Sequence, residues 1–323
     1  MRKVLLGKDG PLVGVIGLGC MGMSWGYSES SNDENESIST IHEAIELGVE
    51  LFDTADVYGD GHNETLVGRA LSGRRDRVVV ATKCGHVLDD LATKRMHRDG
   101  SPEHIRAAVR ASLSRLGTDV IDLYYLHRVD DNVPLAESWG TMSELVATGL
   151  VRSIGLSEVT VEQAAQAHAL HPVAAIQSEL ALWSRDPVGT GPDNDLVAWC
   201  KRQHVAFVPF SPLGRGFLTG AMDFATVFED SDYRLQLPRF TTESRHTNQR
   251  IADLLREVAT AHDVGPAQVA LAWVLAQGEH IVPIPGTRRS QHLRSNVAAA
   301  EVVLSAADMA RLVGAPVAMG ERY

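Results

Sequence analysis

The chain has 323 residues, 44% of them apolar, enough for a large core in one big domain or two smaller ones. A formal net charge of −11 with no basic stripe argues against nucleic acid as a partner. No run approaches the roughly 18 to 20 apolar residues of a membrane span, and MRKVLLGKDGPL has too short an apolar run for a signal peptide. Cys20, Cys84 and Cys200 are far apart and form neither a CxxC nor a zinc spacing, which points to reduced thiols and a cytoplasmic protein.

Residues 4–6 and 12–13 flank Asp9-Gly10 and predict a hairpin. Apolar, β-branched runs follow near 13–18, 50–53, 78–82, 120–126, 151–156, 173–177, 205–210 and 281–284. Helical periods lie between them at 38–47, 64–71, 102–116, 135–148, 160–169, 195–203, 249–261, 266–277 and 291–303. In 102–116, Ile105, Val109, Ser112, Leu113 and Leu116 share one face, and Arg106, Arg110 and Arg115 lie away from it. Ser101-Pro102 reads as cap and first turn, and Gly117 as the stop. Nearly continuous apolar strands imply a sheet covered on both faces. Eight strand–helix units favour an α/β fold, a (β/α)8 TIM barrel in a single domain over 1–323, rather than a doubly wound sheet.

Two stretches break the rhythm, and a third is only polar. Residues 28–37, SESSNDENES, read as a polar, mobile loop. Residues 183–194 and 222–247 follow strand runs, so in a barrel both sit on the active face as long loops of the kind that form lids and binding walls.

Gly17-Leu18-Gly19-Cys20-Met21-Gly22 matches the dinucleotide fingerprint GxGxxG. That motif needs a helix to begin within it, because the helix N-terminus holds the pyrophosphate. MSWGYSESSNDENES has no apolar period, so no helix is expected there. Glycines that let a first barrel strand end beside a ligand are the better account.

Asp53, Tyr58, Lys83 and His127 each sit at or just after the end of a strand run. Gathered at one edge of a sheet, a carboxylate, a phenol, an amine and an imidazole can deliver a proton. Together with VIGLGCMG, FDTADVYGDGHNETLVGRAL, VVVATKCG, DLYYLH, GLSE, IQSEL, FSPLGRGFLTG and VPIPGTRR, they make the chain resemble the aldo-keto reductase superfamily over nearly its whole length. The SPLGRGFLTG and IPGTRR wording resembles the bacterial branch with pyridoxal-reductase-like and general aldehyde or ketone reductases. The resemblance implies a TIM barrel, NADPH, and neither metal nor flavin. Hydride addition to a carbonyl builds charge on oxygen, so a proton donor must be within reach. Tyr58 is the expected acid, Lys83 would stabilise its ionised form, Asp53 would hold Lys83, and a neutral His127 would orient the carbonyl.

The resemblance also implies cofactor contacts. Gly19, Cys20 and Met21 lie with Asp53 near the first strand ends. Ser157, Glu158 and Gln177 match the group that binds the nicotinamide carboxamide, and Phe210 matches the aromatic stacked on its ring. Ser211, Pro212, Leu213, Gly214 and Arg215 resemble the pyrophosphate loop. Gly286, Thr287, Arg288, His292 and Asn296 resemble the site for the adenosine and its 2′-phosphate, which favours NADPH over NADH. Glu158 stands where Asn is common, His292 where Arg or Gln is, and Ser295 where Glu is. These departures alter the carboxamide and adenine contacts.

The expected substrate walls are Trp25, Val57, His86, Arg128, Trp183 and Tyr233, beside Tyr58 and His127, which suit an apolar or aromatic carbonyl compound. His168 and His171 have no carboxylate cluster and read as solvated rather than metal-ligating. The expected function is NADPH-dependent reduction of an aldehyde or ketone, with a substrate such as pyridoxal, a sugar or a secondary metabolite. The alternative is an NADP(H)-binding sensor resembling potassium-channel β-subunits. The start of the sequence shows no added docking segment, which favours the enzyme. No residue pattern marks an interface, so a homo-oligomer stays open.

Overall fold

The computed structural model describes residues 1–27, 30, 32–189, 191 and 193–323. Strands β1 (Lys3–Leu5) and β2 (Leu12–Gly14) form the expected antiparallel hairpin. Among the described residues, seven parallel strands then make one sheet: β3 (Leu18–Gly19), β4 (Leu51–Asp53), β5 (Val79–Cys84), β8 (Ile121–Leu126), β9 (Val151–Ser157), β10 (Ala175–Glu179) and β11 (Ala206–Phe210). The run expected at 13–18 therefore divides. Its start belongs to the hairpin, and only Leu18–Gly19 enters the barrel as strand.

The eighth run closes the ring without becoming a named strand. On one side, Val282 donates to Phe207 at 2.9 Å and Ile284 to Pro209 at 3.0 Å. On the other, Gly17 donates to Pro283 at 2.9 Å and Gly19 bridges Gly286 in parallel. Pro283 and Pro285 have no N–H to give, so the ladder is too sparse for a regular strand. This seam accounts for the glycine motif. A Cβ on Gly17 would lie 2.9 Å from the Ile284 side chain, and one on Gly19 would lie 2.8 Å from the Ile284 carbonyl. Within the motif the chain makes only a 3-10 turn, Met21–Met23, and among the described residues the first α-helix begins at Glu34, so no dinucleotide-type helix follows.

Alternate strand residues face opposite sides, which separates two apolar clusters. Leu51, Val79, Ala81, Leu123, Tyr125, Ala175 and Val208 fill the barrel interior with Val4, Leu6 and Val13 of the hairpin, which plugs one end. Phe52, Val80, Tyr124, Ile154 and Phe207 point outward against the helices. At the carboxyl ends the inward positions turn polar: Asp53 follows Leu51, Lys83 follows Ala81, Ser157 follows Gly155, and Gln177 follows Ala175.

The helices largely follow the predicted periods: α2 (His62–Leu71), α3 (Pro102–Leu116), α4 (Leu135–Ala147), α5 (Val161–Leu170), α6 (Leu196–Arg202), α8 (Pro266–Leu275) and α9 (Ser290–Ala298). Ser101 Oγ caps α3 from the His104 N–H at 3.2 Å, and Gly117 ends it at φ 63°. Two helices begin earlier than expected. α1 (Glu34–Glu46) takes in part of the expected polar loop, because Asp33 caps it and Glu34 and Glu36 suit its first turn. Ser28, Glu29 and Ser31 of that loop lie outside the described residues. α7 (Thr242–Ala261) buries Ser244, Arg245 and Asn248 on its inner face, which hid its first two turns from an apolar pattern. Two elements were not expected at all. One is α10 (Ala306–Val313), capped by Ser305. The other is an antiparallel hairpin of β6 (His86–Asp90) and β7 (Arg95–Arg98). No helix among the described residues is long and apolar enough to cross a membrane.

Candidate active site

The polar inward positions open into a cavity of about 1000 Å3 at the carboxyl ends of the strands. In barrels of this kind, that rim carries the chemistry. Lys83 is fully buried and donates to Asp53 Oδ1 at 2.5 Å and to the Thr54 carbonyl at 2.7 Å. The second Asp53 oxygen accepts from Gln177 Nε2 at 2.7 Å. Lys83 Nζ lies 5.2 Å from the centre of the Tyr58 ring. The Tyr58 ring meets the His127 ring edge-on at 6.0 Å and Trp25 at 5.8 Å. The four strand-end residues thus meet in one place.

Burial works against the Lys83 charge, but Asp53 and Tyr58 outweigh it and hold the amine above its ordinary value. Burial also raises the Tyr58 phenol, and the Lys83 charge pulls it down without prevailing. Tyr58 therefore stays protonated at neutral pH, as a proton donor must, with the Lys83 charge beside it to steady the phenolate left after transfer. Burial, then His86 and Arg128, push His127 well below the usual imidazole range. The ring is neutral, as its assigned role requires, and among the described residues its Nδ1 is buried with no hydrogen-bond partner.

Most other expected residues line the same cavity. Trp25, Val57, His86, Arg128 and Tyr233 are in its wall. So are Gly19, Met21, Ser157, Gln177, Phe210, Ser211, Pro212, Leu213 and Arg215. Gly286, Thr287, Arg288, His292, Ser295 and Asn296 extend it along the seam. Arg128 gives Nη1 to the His127 carbonyl at 2.5 Å and to Ser157 Oγ at 3.0 Å, so it also braces the site.

Four expected residues fall elsewhere. Trp183 is buried beneath the rim, stacked on Phe217 at 5.1 Å and against Phe240, and is no part of the substrate wall. Gly214 packs on that indole, where a Cβ would come within 2.7 Å of the ring, so it faces away from the cavity. Cys20 is fully buried, with its N–H given to the Asp53 carbonyl at 2.8 Å and its thiol turned to Leu18. Glu158 is not in the cavity wall; its carboxylate accepts from Arg322 and from the Glu179 N–H. The described residues of 183–194 add nothing to the cavity wall, whereas Met222, Tyr233 and Arg234 of the second long loop do.

The sequence reading missed the β6–β7 hairpin, which brings Lys94, Met96 and Arg98 to the mouth. Its signal was charge: Asp89 pairs across the turn with His97 at 2.8 Å and Arg95 at 3.7 Å. Lys94 then reaches over to the Ser231 carbonyl at 2.8 Å. Tyr27 and Tyr323 also line the cavity and carried no local sequence signal.

A barrel whose carboxyl rim joins a buried Lys–Asp pair, a phenol and a neutral imidazole defines a class of carbonyl-handling oxidoreductases. Residues 15–315 match the model of the Aldo/keto reductase family, and the chain belongs to that family. It is 41% identical over 310 residues to the Probable aldo-keto reductase 1 of Glycine max, covering 96% of this chain and 87% of that protein. Among solved structures it resembles a glycerol dehydrogenase from Gluconobacter oxydans, with TM-score 0.82, 29% identity and 99% of each chain covered. It also resembles an aldo/keto reductase from Klebsiella pneumoniae in complex with NADP and acetate. That match has TM-score 0.72 and 27% identity, over 97% of this chain and 94% of that one.

Proposed function

We propose that the protein reduces an aldehyde or ketone to an alcohol with NADPH, and that Tyr58 supplies the proton. The observation that carries this reading is the protonated Tyr58 set between a buried Lys83–Asp53 pair and a neutral His127 in one cavity. The cavity suits a dinucleotide. Gly19 and Gly286 expose bare backbone to it, Arg288 and Arg289 face it with positive charge, and Arg215, paired with Glu179 at 2.9 Å, lines it as well. Ser157, Gln177 and Phe210 would hold the nicotinamide end; Arg288, His292 and Asn296 would hold the adenosine end and its 2′-phosphate. Bound there, NADPH supplies the hydride.

The protein's own part is positioning and proton delivery. His127 donates to the carbonyl oxygen and sets its orientation. Tyr58 passes its phenolic proton to the same oxygen as negative charge develops. The Lys83 charge steadies the phenolate that remains, and Asp53 keeps that ammonium in place. Trp25, Val57 and Tyr233 give the mouth an apolar, aromatic wall. This wall favours an aromatic or apolar carbonyl compound, such as a pyridoxal-like aldehyde or a bulkier secondary-metabolite ketone.

The test is NADPH oxidation against a panel of aldehydes and ketones. Tyr58→Phe should lower kcat by about 100-fold or more with little change in NADPH affinity. Unchanged turnover would remove Tyr58 as the acid. Tight NADPH binding with no turnover of any carbonyl would favour a sensor over an enzyme. Arg288→Ala should raise the KM for NADPH far more than that for NADH.

A further inference from the structure

Residues 320–323 run over the carboxyl rim of the barrel, and the proton-delivery scheme does not use them. Their path is fixed at successive points. Asn248 exchanges two hydrogen bonds with the Met319 backbone, at 3.0 and 2.7 Å. Arg239 Nε donates to the Gly320 carbonyl at 3.0 Å. Gly320 has φ 90°, and a Cβ there would lie 2.9 Å from the Arg239 backbone, so the crossing needs glycine.

Arg322 then docks on Glu158, with Nη2 2.7 Å from Oε2 and Nη1 3.4 Å from Oε1. The Glu158 carboxylate is aimed from a left-handed backbone, φ 54°, and accepts the Glu179 N–H at 2.8 Å. Asp186 lies 3.5 Å away and Glu179 4.0 Å away; Glu179 also pairs with Arg215 at 2.9 Å, so Arg322 joins a shared network of arginines and carboxylates. Side chains of Arg322 and Glu158 are only 22% and 13% exposed, which sets this contact apart from a solvated surface pair.

The docking delivers Tyr323 to the cavity wall. Its ring lies 5.3 Å from the Arg215 guanidinium and 5.5 Å from that of Arg322, held between two cations. Tyr27, Tyr233 and Tyr323 all line this cavity. Tyr323 is 53% exposed, which suits a residue at an opening rather than one in a core.

We propose that Tyr323 is a specificity-determining wall of the substrate mouth, and that Arg322, docked on Glu158, is the residue that positions it. The assay rests on the reductase reading; the proposal extends it to which carbonyls are admitted. The ring fills space that the far end of a bulky substrate would occupy, so removing it should favour larger carbonyls. Arg322→Ala should have the same effect from outside the cavity by letting the ring move.

The experiment compares kcat/KM for 2-naphthaldehyde and benzaldehyde. Tyr323→Ala should raise the ratio of the two by about tenfold. Arg322→Ala and Glu158→Gln should move the ratio the same way, and Arg322→Lys should restore part of it. The Arg322→Ala/Glu158→Gln double variant should go no further than the larger single effect, because both break one contact. An unchanged ratio in Tyr323→Ala overturns the proposal, as does an Arg322→Ala variant that changes thermal stability alone. A shift in the KM for NADPH with the ratio untouched overturns it as well, by assigning the ring to the cofactor. If the wild type turns over neither aldehyde nor any other carbonyl of the wider panel, the reductase reading falls. Calorimetric binding of 2-naphthalenemethanol in the presence of NADP+ then decides the wall. Tighter binding to Tyr323→Ala than to wild type supports it, and equal affinity overturns it.

Discussion

At the scale of single residues, the main feature is a lysine with no exposed surface held by a carboxylate that is itself buried. Removing one member of such a pair leaves a charge in a low-dielectric site, at a cost of about 3–5 kcal/mol. Lys83→Met should therefore lose stability as well as turnover. Asp53→Asn/Lys83→Met should recover part of the stability and none of the activity, a split that denaturant melts and NADPH oxidation separate. The pH profile follows from the directions of the shifts. Reduction needs Tyr58 protonated and His127 neutral. Since His127 titrates well below the ordinary imidazole value and Tyr58 above the ordinary phenol value, kcat/KM should be flat across neutral pH. On the basic side it should fall only as pH rises past about 10, the ordinary phenol value, and on the acid side only once His127 protonates, well below the ordinary imidazole value. That these four residues meet was legible in the sequence, because each sits at or near the end of a strand run. The balance between burial and charge at Tyr58 was not, because it depends on how completely the neighbouring elements exclude water.

At the scale of elements, legibility followed the strength of local signals. α3 was read to its ends because it has a serine cap, a proline in its first turn and a terminating glycine. Ser101→Ala should cost about 1 kcal/mol by removing the cap, measurable as a lower denaturation midpoint with an unchanged m-value. The first turns of α7 were invisible because their buried face is polar, with Asn248 turned inward to the Met319 backbone. The eighth stave was visible as an apolar run, yet its two prolines deny it a regular ladder. The β9 strand carries a constraint that no one-sequence reading finds. A Cβ on Gly155 would lie 2.5 Å from the Tyr125 ring and 2.6 Å from the Ala175 carbonyl. Gly155→Ala should therefore destabilise the barrel by about 1–3 kcal/mol through overpacking, despite the conservative change.

At the scale of the whole molecule, counting eight strand–helix units was enough to give the architecture. The placement of long-range partners was not in that count. The tail crossing the rim and the hairpin bridging to Ser231 join positions more than a hundred residues apart. Several rings are kept neutral by burial, among them His127 and His86, the latter pushed down to about 4. The unfolded chain binds protons on these rings below about pH 6.5, and the folded chain does not. Stability should therefore fall as pH drops from about 6.5 toward 4, which a series of melting temperatures would show. The sulfur chemistry follows from the same packing. Cys20, Cys84 and Cys200 are all buried, and burial raises each thiol far above neutrality. Nucleophilic thiolate is thus withheld from the electrophiles the cavity would admit, so the enzyme should resist inactivation by its own aldehydes. A thiol reagent such as DTNB should count no reactive groups in the native protein and three after denaturation.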